Sequence, residues 1–90
     1  MPRIFDTEQC NIVGKKVRYY RKRKKYSQKI LSEKLETLAI YICRGSISRI
    51  EDGSRTVTDI ELYGLASVLG VSIEDLFPSD GYPVKRNNSI

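Results

Sequence analysis

The side chains of this chain that could do chemistry are mostly cations. Nine of its sixteen lysines and arginines fall between Lys15 and Lys29. Residues 1–45 carry 12 Lys/Arg against 4 Asp/Glu, and residues 46–90 carry 4 against 7, so the net +5 divides into +8 and −3. A field this uneven suits an anionic partner approached from one side; a solvated helix face is the bland alternative. Histidine is absent, and there are two cysteines, Cys10 and Cys43. That removes the commonest general base, any Ser–His or Cys–His pair, and a zinc site built by this chain alone. An enzyme is therefore the least expected class, and no cofactor or metal is implied. Two thiols make no disulfide framework, and each reads better as a buried or capping group than as a redox sensor.

The elements that must position these cations are short. Ninety residues make one domain with a modest core. No apolar run has the length of a membrane span, and MPRIFDTEQC has no leader-like core, so the cytoplasm is the default compartment. A first helix is expected from a cap near Asp6 or Thr7 to about Lys24, with Ile12, Val13, Val17 and Tyr20 on one face. Ser27 caps a second helix that carries Leu31, Leu35 and Leu38 on one stripe. A third spans about Arg44 to Glu51, with Ile47 and Ile50 inward, and Asp52-Gly53 stops it. Thr58-Asp59-Ile60-Glu61 is a capping box. It opens a fourth helix with Leu62, Leu65, Ala66 and Leu69 on one face, ending at Gly70. Ser72 caps a short fifth, closed by Pro78. The reading is all-α: a domain over 1–78 and a tail over 79–90 expected to be mobile.

Several fragments now fall into a known order. VRYYRKRKKYSQKILSEKL, ISRIEDGSR and DIELYGLASVLGVSIEDLF resemble the helix-turn-helix family of lambda-type repressors, Cro proteins and xenobiotic-response-element-like regulators. The likeness covers about residues 12–77. It implies a compact five-helix domain whose second and third helices form the helix-turn-helix. It also implies that the third lies in the major groove of duplex DNA, in a homodimer on two-fold related half-sites.

By that resemblance, Arg44, Ser46, Ser48 and Arg49 are the base-contacting set. A guanidinium can donate two hydrogen bonds to guanine, so Arg44 and Arg49 lead it. Lys24, Lys25, Ser27, Gln28, Gly45, Ser54 and Arg55 are the phosphate-contacting set. Gly45 departs from the polar residue common in the family and weakens the helix start by up to about 1 kcal/mol. Arg21 and Glu51 match a structural salt bridge from helix one to the end of helix three, so Arg21 is kept apart from the base readers. Tyr20 and Tyr26 occupy core positions, each burying its ring with the hydroxyl wet; Tyr19 is left open.

One stretch departs from the common pattern. Twenty residues separate Ser27 from Ile47, where the common form has about fifteen, and the extra five fall in ETLAIYICRGS. Either the second helix grows by a turn, as Leu31, Leu35 and Leu38 suggest, or a longer loop wanders over the surface. An exposed apolar loop is disfavoured. In a branch of the family with a lengthened turn, the residue matching Ala39 is often glycine. That places a helix stop near Ala39, with Leu38, Ile40 and Ile42 as core staples, Tyr41 outward and Cys43 as a weak cap. Left-handed backbone costs a non-glycine residue about 1–2 kcal/mol, so Ala39 is expected to avoid it. The expected function is a sequence-specific double-stranded DNA-binding regulator, a repressor acting as a homodimer. The rivals are an antitoxin-like protein-interaction module and an RNA binder using the first helix.

Overall fold

Asn11 sets the first element. Its side-chain carbonyl accepts from the amides of Val13 (3.1 Å) and Gly14 (2.8 Å), satisfying donors that a helix start leaves free. Helix α1 then runs Gly14–Arg23 in the computed structural model, which describes residues 9–78. The expected caps Asp6 and Thr7 lie outside the described residues, as does the tail 79–90, but residues 9–13 are not helical, so the helix starts later than expected. The reason is tertiary. The Asn11 amide nitrogen donates to the carbonyls of Ile50 (3.1 Å) and Arg55 (2.7 Å), which holds this segment against the end of the third helix.

Helix α2 spans Gln28–Glu36, with the Ser27 hydroxyl accepting from the Ile30 amide. Helix α3 is Arg44–Glu51. Helix α4, Asp59–Leu69, opens on the complete Thr58/Glu61 capping box and stops at Gly70. The expected fifth helix is a single 3-10 turn, Glu74–Leu76. Ser72 and Asp75 cap one another as anticipated (3.1 and 3.2 Å). Phe77, however, is extended ahead of Pro78, the backbone that a residue before proline is pushed toward. The described residues thus hold four α-helices and a 3-10 turn, with no strand.

The core is one cluster drawn from every element: Val13 and Val17, Leu31 and Leu35, Ile42, Ile47 and Ile50, Leu65, Ala66 and Leu69, and Leu76. Tyr20, Tyr26 and Leu62 pack against it half-buried. All four helices end in the same way. An amide just past each helix reaches back five residues to a carbonyl: Tyr26 to Arg21 (3.1 Å), Ile40 to Leu35 (3.1 Å), Ser54 to Arg49 (2.9 Å) and Val71 to Ala66 (3.0 Å). Such an ending puts one residue in the left-handed region. Gly53 and Gly70 supply two of them; Lys25 (φ +63°) and Ala39 (φ +62°) supply the others. Ala39 therefore does not avoid the conformation, contrary to the expectation from its Cβ.

The reason lies just beyond Ala39. The reversal turns Ile40 inward, where its side chain meets Gly64 at a point that leaves no room for a Cβ. Ile42 is then fully enclosed, and its carbonyl accepts from the Ser32 hydroxyl (2.6 Å). Tyr41 points outward, 75% exposed. Leu38, expected as a core staple, is 44% exposed. The account of a second helix grown by a turn is also replaced. α2 stops at Glu36, and residues 37–43 form a packed turn anchored at Ile40 and Ile42.

Candidate nucleic-acid interface

Helix α3 has two unlike faces. Ile47, Ile50 and Glu51 are buried. Arg44, Gly45, Ser48 and Arg49 are exposed, and Ser46 is half-buried. At 100° per residue, these exposed side chains fall on the side opposite the core. The Arg49 guanidinium donates to the Ser46 hydroxyl oxygen (3.2 Å), so one proposed reader is braced by another. Gly45 faces open space, with nothing nearer to a would-be Cβ than the Arg49 guanidinium at 3.9 Å.

Cys43 occupies the N-cap position of α3 by its backbone but makes no capping hydrogen bond. Its thiol instead donates to the Ser46 hydroxyl oxygen (3.4 Å). Hydrogen bonding with Ser46 holds that thiol below its ordinary value, and the Arg49 charge adds to the effect. Both Cys10 and Cys43 are exposed, so neither is the buried or capping thiol expected.

The far end of α3 is tied to α1 and α2 through one buried carboxylate. Arg21 Nε reaches Glu51 Oε2 at 2.6 Å, and a second guanidinium nitrogen reaches Oε1 at 3.0 Å. The third nitrogen donates to the Tyr26 carbonyl (2.8 Å). Gln28 Nε2 adds a bond to Glu51 Oε1 (3.1 Å). This satisfies the guanidinium fork and both carboxylate oxygens, which is what makes a buried pair tolerable. Gly14 lies so close to the carbonyls of Ile50 and Glu51 that only a hydrogen fits.

The remaining predicted contact residues divide. Ser27, exposed, and Gln28, half-buried, sit together at the start of α2, with Lys25 exposed just before them. Ser54 is exposed beyond α3, and its amide (3.0 Å) and hydroxyl (2.7 Å) both donate to the Asp52 carboxylate. Those bonds hold the Asp52 carboxyl below its ordinary range. Lys24 and Arg55 are placed differently. The Lys24 ammonium lies against Gly70, at the C-terminal end of α4, where a helix dipole favours a cation. Arg55 makes two parallel bonds to Glu61 (3.0 Å each) and one to the Thr56 carbonyl (2.9 Å). Arg55 holds the Glu61 carboxyl below its ordinary range. Sequence reasoning passed over Asn11, Ser32 and the Arg55–Glu61 pair as positioning groups. Only Glu61 carried a local signal, through its capping box.

Two exposed helix-end arginines, a serine-glutamine start on the preceding helix and a buried tie between them are the working parts of a helix-turn-helix. Residues 17–76 match the helix-turn-helix family HTH_3 over most of the chain. The chain belongs to that family.

Two solved structures resemble this helix-turn-helix protein. One is the restriction-modification controller protein C.AhdI from Aeromonas hydrophila. It is 26% identical, with 72% of this chain and 87% of that chain covered and a TM-score of 0.64. The other is the DNA-binding domain of BldD, 26% identical, covering 82% of this chain and all of that one, with a TM-score of 0.65. No curated protein sequence matches the chain. Among the described residues no cluster of His, Cys, Asp or Glu could hold a metal ion, and no helix is long and apolar enough to cross a membrane.

Proposed function

We propose that this protein is a sequence-specific, double-stranded DNA-binding transcriptional regulator. It reads the major groove with α3, as a homodimer, and it acts as a repressor in the cytoplasm. One observation carries the reading. The exposed face of α3 presents Arg44, Ser48 and Arg49, while the opposite face is fixed to the core by Ile47, Ile50 and Glu51. Family membership and the likeness to the DNA-binding domain of BldD and to a restriction-modification controller protein support it. Arg44 and Arg49 would donate to base edges, Ser46 and Ser48 to bases or sugars. Ser27, Gln28, Lys25, Gly45 and Ser54 would meet phosphates. Lys24 and Arg55 would have to leave their present partners to join them, so their contribution is the smaller one.

The test begins with selection of bound sequences from random duplex DNA. Band shifts of Arg44→Ala and Arg49→Ala are then run on the selected and on scrambled duplexes. A bidentate base contact is worth about 1–3 kcal/mol, or roughly 5- to 150-fold in affinity. That loss should appear on the selected duplex and be largely absent on the scrambled one; equal losses on both would remove the base-reader assignment. A protein-interaction module of the antitoxin kind is the second reading. It is favoured by Tyr41 (75%), Ile60 (66%) and Tyr63 (63%), large apolar side chains that stand exposed. Selection that enriches no sequence, together with a co-purifying protein, would favour it.

A further inference from the structure

The outer face of α1 carries a built array that the proposed DNA contact does not use. Lys16, Tyr19, Tyr20 and Arg23 stand at i, i+3, i+4 and i+7, one face of a helix. The Lys16 ammonium lies 5.8 Å from the Tyr19 ring centre and 5.6 Å from that of Tyr20. The Arg23 guanidinium lies 5.7 Å from the Tyr19 ring and reaches its hydroxyl at 3.5 Å. The two rings meet edge to face, 5.0 Å apart. Tyr19 is 51% exposed and Arg23 is exposed. Among the described residues neither Lys16 nor Arg23 has a carboxylate partner. Two cations are thus held in place by aromatic rings with most of their donors unused, so part of the ordering that binding demands is already done.

The direction of the array decides what it can meet. Gly14 and Arg21 are the α1 residues that touch the end of α3. At 100° per residue, Lys16, Tyr19 and Arg23 lie about 180° around α1 from that pair. A duplex lying along α3 is therefore on the other side of α1. Single-stranded nucleic acid would need a free ring face for stacking, and the Tyr19 ring is already engaged by two cations. We infer that the Lys16–Tyr19–Arg23 stripe docks an acidic helix of a partner protein, on the face of α1 opposite α3. The two cations are seven residues, about 10 Å, apart along the axis, the same repeat as carboxylates two turns apart on such a helix. The fork of Arg23 suits a carboxylate in two-bond geometry, and Lys16 suits one as a point charge.

A fluorescent helical peptide with glutamates at i, i+3 and i+7 tests this on the full chain. Its control is an isomer of the same composition with the glutamates spread around the helix. Lys16→Gln/Arg23→Gln is compared with Arg18→Gln/Lys22→Gln, which removes the same charge from the flank nearer α3; circular dichroism confirms that both fold. The first double variant should weaken the one-faced peptide about tenfold or more and the second less than about twofold, as removal of interfacial rather than remote charge does. The one-faced peptide should bind more tightly than the isomer, and saturating duplex DNA should not displace it. Four results would overturn the proposal: equal losses in the two variants, no binding at all, displacement by duplex, and a single-stranded oligonucleotide that outbinds the peptide with the same sensitivity to variants. The variant comparison and the isomer comparison use no DNA, so they stand or fall apart from the regulator reading.

Discussion

Ala39→Gly probes the turn that sets α3 against α2. Ala39 holds φ at +62°, where a Cβ crowds the following carbonyl and costs about 1–2 kcal/mol. Glycine removes that cost but gains freedom in the unfolded chain, an opposing effect of about 0.5–1 kcal/mol. The side chain is exposed, so little packing is lost, and the net expectation is a gain of about 0.5–1 kcal/mol. In a domain this small, 1 kcal/mol moves Tm by about 4–8 °C, so thermal denaturation followed by circular dichroism should show a rise of about 2–8 °C. Ala66→Gly is the opposing control. That residue is 4% exposed inside α4, and the same change should lower stability by about 1 kcal/mol or more. A fall in Tm for Ala39→Gly would mean that the backbone at 39 is not left-handed in solution, and the anchored-turn description would fail with it.

Arg21→Met should cost about 3–5 kcal/mol in urea unfolding by stranding the buried Glu51 carboxylate, and Arg21→Met/Glu51→Leu should recover much of that loss; a double variant as unstable as the single one would refute this. Gly14→Ala should destabilise by about 1–3 kcal/mol, because a Cβ there overlaps the Ile50 carbonyl. Gly45→Ala, facing open space, should instead gain about 0.5–1 kcal/mol, both read from urea melts. Glu61 has its carboxyl held below the ordinary 4.5 by Arg55. A depressed acid contributes stability that is complete above its unfolded value and lost as pH falls through the folded one. The Tm of wild type should therefore fall more steeply than that of Glu61→Gln from about pH 5 downward; parallel curves would contradict the pairing.

Much of the fold was legible because the signals were local. Ser27, Thr58 with Glu61, Gly53 and Gly70 are caps and stops whose chemistry acts within a few residues, and each marks an end that the structure has. Ile47 with Ile50 and Leu65 with Ala66 and Leu69 show their faces by spacing alone. What was not legible depended on distant partners. α1 begins at Gly14 because Asn11 binds Ile50 and Arg55, some forty residues away. Leu38 continues a helical stripe in sequence, yet the chain has already reversed by Ala39, and the stripe ends at Leu35. The fifth helix shrank to one turn under Pro78. Within the candidate site, the composition of α3 was readable. The prior engagement of Arg55 by Glu61 and the placement of Lys24 at Gly70 were not, since either cation could equally have faced water.

Helix α3 is held at both ends by different parts of the molecule. Before its start, Ile42 is buried and its carbonyl is taken by Ser32. At its finish, Gly14, Asn11, Arg21 and Gln28 close on Ile50 and Glu51. An eight-residue helix is only about 12 Å long, so it behaves as a short beam resting on two supports, unable to tilt alone. If α3 enters a groove, the adjustment must come from the rotamers of Arg44 and Arg49 or from the duplex itself. Bending or narrowing a duplex costs more in some sequences than in others. The preferred operator should then show selection at base pairs that no side chain touches, where stiffness is what distinguishes one sequence from the next.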